Sequence, residues 1–175
     1  RSFFMPKSKF TTRQLATAGI IAAVYAGLTL LLPIPQYGGV QLRVAEAMTV
    51  LPFLFPEAIP GLAVGCFLAN LLGSPYVLDW VFGTLATALA CCLTARMPNK
   101  WLAPLPPVLC NAVIICSGFA VLFPGPASSA PLWLACVTNG ISVGIGEVIS
   151  CTVLGVVLVK IIESNTALRS IFAAD

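Results

Sequence analysis

Apolar runs cut only by proline, glycine or an occasional charge divide this chain into six segments, at about 12–33, 44–56, 58–74, 79–96, 104–123 and 131–160. A bilayer-spanning helix takes about 20 apolar residues, so six such runs use up the chain and leave no room for a soluble catalytic domain. With only 9% of its residues charged, against roughly 25% in an ordinary soluble domain, the chain does not have the surface of a soluble protein. The expected fold is all-α: a bundle of six transmembrane helices in the lipid bilayer, residues 1–175 forming one domain. The second segment is short and bounded by Pro52 and Pro56, so it is expected to be tilted or broken where protein covers its freed backbone groups. The last is long enough to tilt.

The first run follows Lys7, Lys9 and Arg13 and has no small-residue cleavage site before the next run, so it reads as a retained span, with Met5 as a start. Orientation follows from the basic residues, which stay on the cytoplasmic side of span ends. Arg1, Lys7, Lys9 and Arg13 precede the first span, Arg96 and Lys100 join the fourth to the fifth, and Lys160 and Arg169 follow the sixth. Six spans put all three regions on one side, so both termini are expected in the cytoplasm.

The net charge of +3 is spread rather than gathered into a patch beside stacking aromatics, which argues against nucleic acid. The 7 cysteines lie inside apolar runs with no CxxC, and the chain has no histidine to complete a metal site. No P-loop, GxSxG or HExxH occurs, so ATP hydrolysis and the usual intramembrane proteolysis lack their parts. No enzyme activity and no cofactor are expected.

Ionisable groups within a bilayer cost about 2.5–3.5 kcal/mol each on insertion scales, so each needs a reason. Glu147 lies deep in the last span, where it either serves function or makes a hydrogen bond to another helix. Asn139 is eight residues earlier, which brings it within a quarter turn of the same face. Asp79 opens the fourth span beside Tyr76 and Trp80, an arrangement that suits a flat cationic ligand and equally a helix cap within an aromatic belt. Trp133 has the same two readings. Arg43 and Glu46, three apart, could pair with each other or offer unused donors and acceptors at a pocket mouth. Asn70 is a weaker candidate, and Glu57 reads as a solvated loop charge. Small residues recur every fourth position in the first span, as Ala18, Ala22 and Ala26 on one stripe and Gly19, Ala23 and Gly27 on the next. Such stripes admit a second helix, from within the bundle or from a partner. Gly140 and Gly144 repeat the spacing in the last span.

Three stretches carry a resemblance. They are Tyr37-Gly-Gly-Val-Gln-Leu-Arg43-Val-Ala-Glu46-Ala-Met-Thr-Val-Leu-Pro52, then Ala58-Ile-Pro-Gly-Leu, then Gly65-Cys-Phe-Leu-Ala-Asn70-Leu. With Asp79 to Ala86 and Gly146-Glu147-Val-Ile-Ser, they make the chain closely resemble the QueT family. Members are substrate-binding S-components of energy-coupling factor (ECF) transporters in the bacterial cytoplasmic membrane, assigned to queuosine precursors such as 7-aminomethyl-7-deazaguanine (preQ1). The resemblance implies a small-molecule ligand, a transmembrane coupling subunit and two cytoplasmic ATPases. It implies docking through Ala18, Ala22 and Ala26, and a pocket lined by Gln41, Arg43, Glu46, Asp79, Trp80, Trp133 and Asn139. A carboxylate, Glu46 or Glu147, would accept the adjacent N–H and NH2 of the deazaguanine. Asp79 would face the aminomethyl cation, and Asn139, Asn70 or Arg43 the ring carbonyl. Other ligands of the same fold, such as queuine, a flavin or biotin, and a non-transport scaffold, are the alternatives.

Overall fold

The computed structural model describes residues 11–32, 42–115 and 131–172, and every regular element among them is helical. Helix α1 spans Thr12–Leu31 and opens with a capping box: Gln14 N–H donates to Thr11 Oγ1 at 3.3 Å, and Thr11 N–H to Gln14 Oε1 at 3.0 Å. It stops at Leu32, whose extended backbone suits the residue before a proline. Ala18, Ile21, Ala22, Tyr25 and Thr29 form its buried stripe, while Leu15, Ile20, Val24 and Leu31 are exposed. An exposed face that is this apolar faces lipid rather than water.

Helix α2, Val44–Phe53, is a 3-10 helix of 10 residues, longer than the three or four at which such helices usually end. It is buried from Ala45 to Pro52, its apolar residues packed against the surrounding helices and only Glu46 and Thr49 polar among them. The short, irregular second segment expected from the sequence takes this form. Helix α3 (Ala58–Gly73) lies parallel to α1, with Gly61 against Ala18 and Gly65 against Ala22. A Cβ added at Gly61 would lie 2.5 Å from the Ala18 carbonyl oxygen, and one at Gly65 would lie 2.9 Å from that of Ala22. Small residues on both helices therefore let the two backbones touch.

The remaining helices are interrupted by π turns. Helix α4 (Asp79–Thr94) begins with a π segment, Asp79–Gly83, and continues as α-helix from Thr84. Helix α5 is α-helical over Leu105–Cys110 and π over Asn111–Ile115, where description stops. Helix α6 is α over Leu132–Glu147, π over Val148–Gly155 and α again over Val156–Ser164. Gly155 receives α2: an added Cβ would meet Val50 Cγ2 at 2.6 Å. A short α7, Thr166–Phe172, follows.

Helix α1 and the stretch Cys136–Ser164 of α6 are long and apolar enough to cross a membrane, whereas α2 to α5 are shorter apolar helices of 10–17 residues. The expected fifth span, 104–123, and the loop carrying Gln41 run partly outside the described residues. Three contacts collect the basic regions at one end of the bundle. Lys100 Nζ lies 2.6 Å from Glu163 Oε2, Lys160 Nζ sits 4.9 Å from the Trp101 ring centroid, and the Arg13 guanidinium donates to the Ser170 carbonyl.

Candidate functional site

Buried polar residues converge between the helices above that basic end. Arg43 precedes the first turn of α2, and its carbonyl accepts the Glu46 N–H at 3.0 Å. That turn directs Glu46 into the bundle, where its side chain is 1% exposed. Glu46 Oε1 accepts the hydroxyl of Tyr25 from α1 and lies 4.0 Å from Arg43 Nη1. Its other oxygen, Oε2, has no hydrogen-bond partner among the described residues. The Glu46 carbonyl takes the Thr49 hydroxyl at 2.6 Å and the Cys151 thiol at 3.4 Å, fixing α2 against the π segment of α6. The same thiol lies 3.3 Å from Glu147 Oε2.

Asn111, the first π residue of α5, completes this inner group. Its amide lies close enough to the carboxylates of Glu46 and Glu147 to interact with both, yet neither its nitrogen nor its oxygen meets a partner at full hydrogen-bond geometry among the described residues. Ser150 on α6 is also buried with its hydroxyl unpartnered there.

A second group adjoins the first. Asn70 Nδ2 donates to the Asp79 carbonyl at 2.9 Å and approaches Cys66 Sγ at 3.3 Å, leaving Asn70 Oδ1 without a partner among the described residues. Gly83 makes room for this amide, since an added Cβ there would lie 2.8 Å from Asn70 Nδ2. The Ser74 hydroxyl donates to Asp79 Oδ2 at 2.5 Å and accepts the Tyr76 N–H at 3.2 Å, while the Trp80 indole donates to the Ser74 carbonyl at 3.3 Å. Asp79 is near enough to act electrostatically on Arg43, which links the two groups.

The irregular helices explain the convergence. Asp79 and Asn111 each begin a π segment, Glu147 immediately precedes one, and Ser150 and Cys151 lie within it. A π turn changes the angular spacing of side chains and is common at functional sites. Three carboxylates and one guanidinium meet here among the described residues, and most buried polar groups elsewhere in proteins are hydrogen-bonded. The arrangement offers donors and acceptors, with a formal surplus of carboxylate, suited to a cationic ligand rich in N–H groups.

A family model described as QueT transporter matches residues 15–164. The chain belongs to the QueT transporter family. The family is described as one of transporters, and the apolar helices of this chain fit a membrane protein. Over 85 residues it is 35% identical to the Queuosine precursor transporter QueT of Lactococcus lactis subsp. cremoris (strain MG1363), a match covering 47% of this chain and 48% of that protein. The matched region thus spans about half the length of this relative. No solved structure matches the chain.

Of the site residues expected from the sequence, Arg43, Glu46, Asn70, Asp79 and Glu147 come together in this QueT-family bundle, and Trp80 flanks them half-buried. Trp133 stands apart at the start of α6, 65% exposed. Gln41 and the side chain of Asn139 lie outside the described residues. The alanine stripe has a different setting from the one the resemblance implies. Ala18 and Ala22 are buried against α3 and Ala26 is half-buried, because Gly61 and Gly65 admit that face of α1. The neighbouring stripe is the open one: added Cβ atoms at Gly19 and Gly27 meet nothing within 4 Å, and Ala23 is exposed. Sequence reasoning missed Tyr25 and Asn111. Asn111 carried the same signal that singled out Glu147, a strongly polar side chain inside an apolar run.

Proposed function

We propose that this chain is the substrate-binding component of an ECF transporter and captures a 7-deazaguanine such as preQ1 for ATP-driven uptake. The observation that carries the reading is the unpartnered Glu46 Oε2 at the centre of a buried polar cluster, in a family of transporters. A deazaguanine presents adjacent ring N–H and NH2 donors, which a carboxylate accepts in two parallel charge-assisted bonds. Glu46 suits that edge because its Oε2 is buried without a partner among the described residues, whereas Glu147 Oε2 faces the Cys151 thiol. The aminomethyl cation then lies in the field of the two remaining carboxylates, Glu147 and Asp79. Trp80 supplies an aromatic wall. The name of the Lactococcus relative supports the same substrate class.

The basic end, with Arg13, Lys100 and Lys160, is assigned to the cytoplasm by the positive-inside rule, placing both termini there in a six-span protein. The transmembrane coupling subunit, which carries the cytoplasmic ATPases, docks on the face of α1 that this bundle leaves open. Ala23→Trp is therefore expected to abolish co-purification with the coupling subunit while changing ligand affinity of the isolated chain by less than about twofold, since it removes none of the site's hydrogen bonds. Normal assembly by a folded Ala23→Trp variant would place the docking surface elsewhere.

The function itself is tested by calorimetric titration of the detergent-solubilised chain with preQ1, using guanine, queuine, riboflavin and biotin as comparisons. Tight binding of preQ1 is the expected result. Binding of another of these ligands alone would remove the substrate, and silence from all of them in a folded protein would remove the solute-capturing role.

A further inference from the structure

The most unusual side chain of the bundle is Asn111. It is 1% exposed, and both ends of its amide lack hydrogen-bond partners among the described residues. A buried amide has two N–H donors and an oxygen with two lone pairs, and leaving them all unmade costs stability. Its position is well fixed. The backbone N–H bonds to the Pro107 and Val108 carbonyls, and the next residue, Ala112, packs towards Gly144, where an added Cβ would lie 3.8 Å from the Ala112 Cβ. That contact is almost one turn before Glu147 on α6 and holds α5 where Asn111 adjoins Glu46 and Glu147.

We infer that Asn111 determines specificity by reading the ring carbonyl of the bound base, its amide N–H donating to that oxygen while Glu46 accepts the adjacent ring N–H and NH2. This rests on the transport reading above and names the residue that distinguishes a guanine-type edge from edges lacking a strong acceptor. A carboxylate alone recognises the two donors but is indifferent to the atom beside them. An amide next to it supplies the missing donor, and a buried donor left unpaired by the wrong ligand makes that ligand bind poorly. The other amide donor and the amide oxygen remain for Glu147 and for the ligand's substituent.

The test compares preQ1 with its 6-thio counterpart, which keeps both ring donors and replaces the carbonyl oxygen by a weakly accepting sulfur. In the unaltered chain preQ1 binds about 10-fold more tightly, the worth of one hydrogen bond of about 1.4 kcal/mol. Asn111→Leu, close to Asn in shape, reduces that ratio to near one. It also raises the melting temperature of the ligand-free protein by about 2–4 °C, because an unpaired buried amide is replaced by an apolar group. Asn111→Ala reduces the ratio in the same way and serves if the leucine does not fit. A residue with only a structural role would lower both affinities together, or lower stability, and leave the ratio intact. A ratio near one in the unaltered chain, or one that survives in either folded variant, overturns the assignment of Asn111 while the transport reading stands. Absence of preQ1 binding by the unaltered chain overturns both.

Discussion

Glu46→Gln weakens preQ1 binding by at least about 100-fold in calorimetric titration, because it replaces a charge-assisted acceptor pair by one neutral acceptor and one misplaced donor. Each hydrogen bond to a charged group is worth about 1.5–3 kcal/mol, and about 1.4 kcal/mol is a factor of 10. The substituted amide can still accept the Tyr25 hydroxyl, and Asp79 remains in the field of Arg43. The variant is therefore expected to fold with a stability loss of about 1–3 kcal/mol, less than the 3–5 kcal/mol typical when a buried charge loses every partner. Unchanged affinity in a folded Glu46→Gln protein would remove Glu46 from the site.

The second large effect concerns packing. Gly61→Ala puts a methyl 2.5 Å from the Ala18 carbonyl oxygen and 3.0 Å from the Ala18 Cα, so the backbones of α1 and α3 must separate. Overpacking of this kind costs about 1–3 kcal/mol, sometimes more, which outweighs the gain of up to about 1 kcal/mol from replacing a helical glycine. Gly19→Ala, on the open face of α1, gains that propensity without a clash and is expected to be neutral or stabilising. Thermal unfolding of the two variants in detergent compares them directly. Equal tolerance would mean that α1 and α3 do not meet through Gly61.

The helical class was legible because apolar composition and run length demand it, and Arg43, Glu46, Asp79 and Glu147 were legible because charges are so scarce here. Tyr25 was not. A tyrosine in an apolar run satisfies any hydrophobic pattern, and its role comes only from the approach of α2. The π turns at Asp79, Asn111 and Val148 leave no mark on hydropathy, so the change they make in the angular spacing of the side chains around them could not be read from the sequence. The choice between two small-residue stripes on α1 depended on a partner within the chain. Gly61 and Gly65 repeat the four-residue spacing of Ala18 and Ala22, and matching those two pairs would have pointed to the internal use of the alanines.

Helix α6 serves as a ruler for depth. From Leu132 to Ser164 it is roughly 50 Å long at about 1.5 Å per residue, more than the ~40–45 Å of a bilayer with its headgroups. In the orientation proposed above, Glu147 lies roughly 22 Å from the outer end of the helix on the same scale, which would put it close to mid-membrane. A solute held at that level must shed its hydration shell completely, and each of its polar groups without a counterpart costs about 1–3 kcal/mol. Dehydration thus becomes a filter in its own right. A sugar-bearing form of the same base, with several hydroxyls and no counterparts for them, is rejected for what it carries beyond the base even though its recognition edge is unchanged.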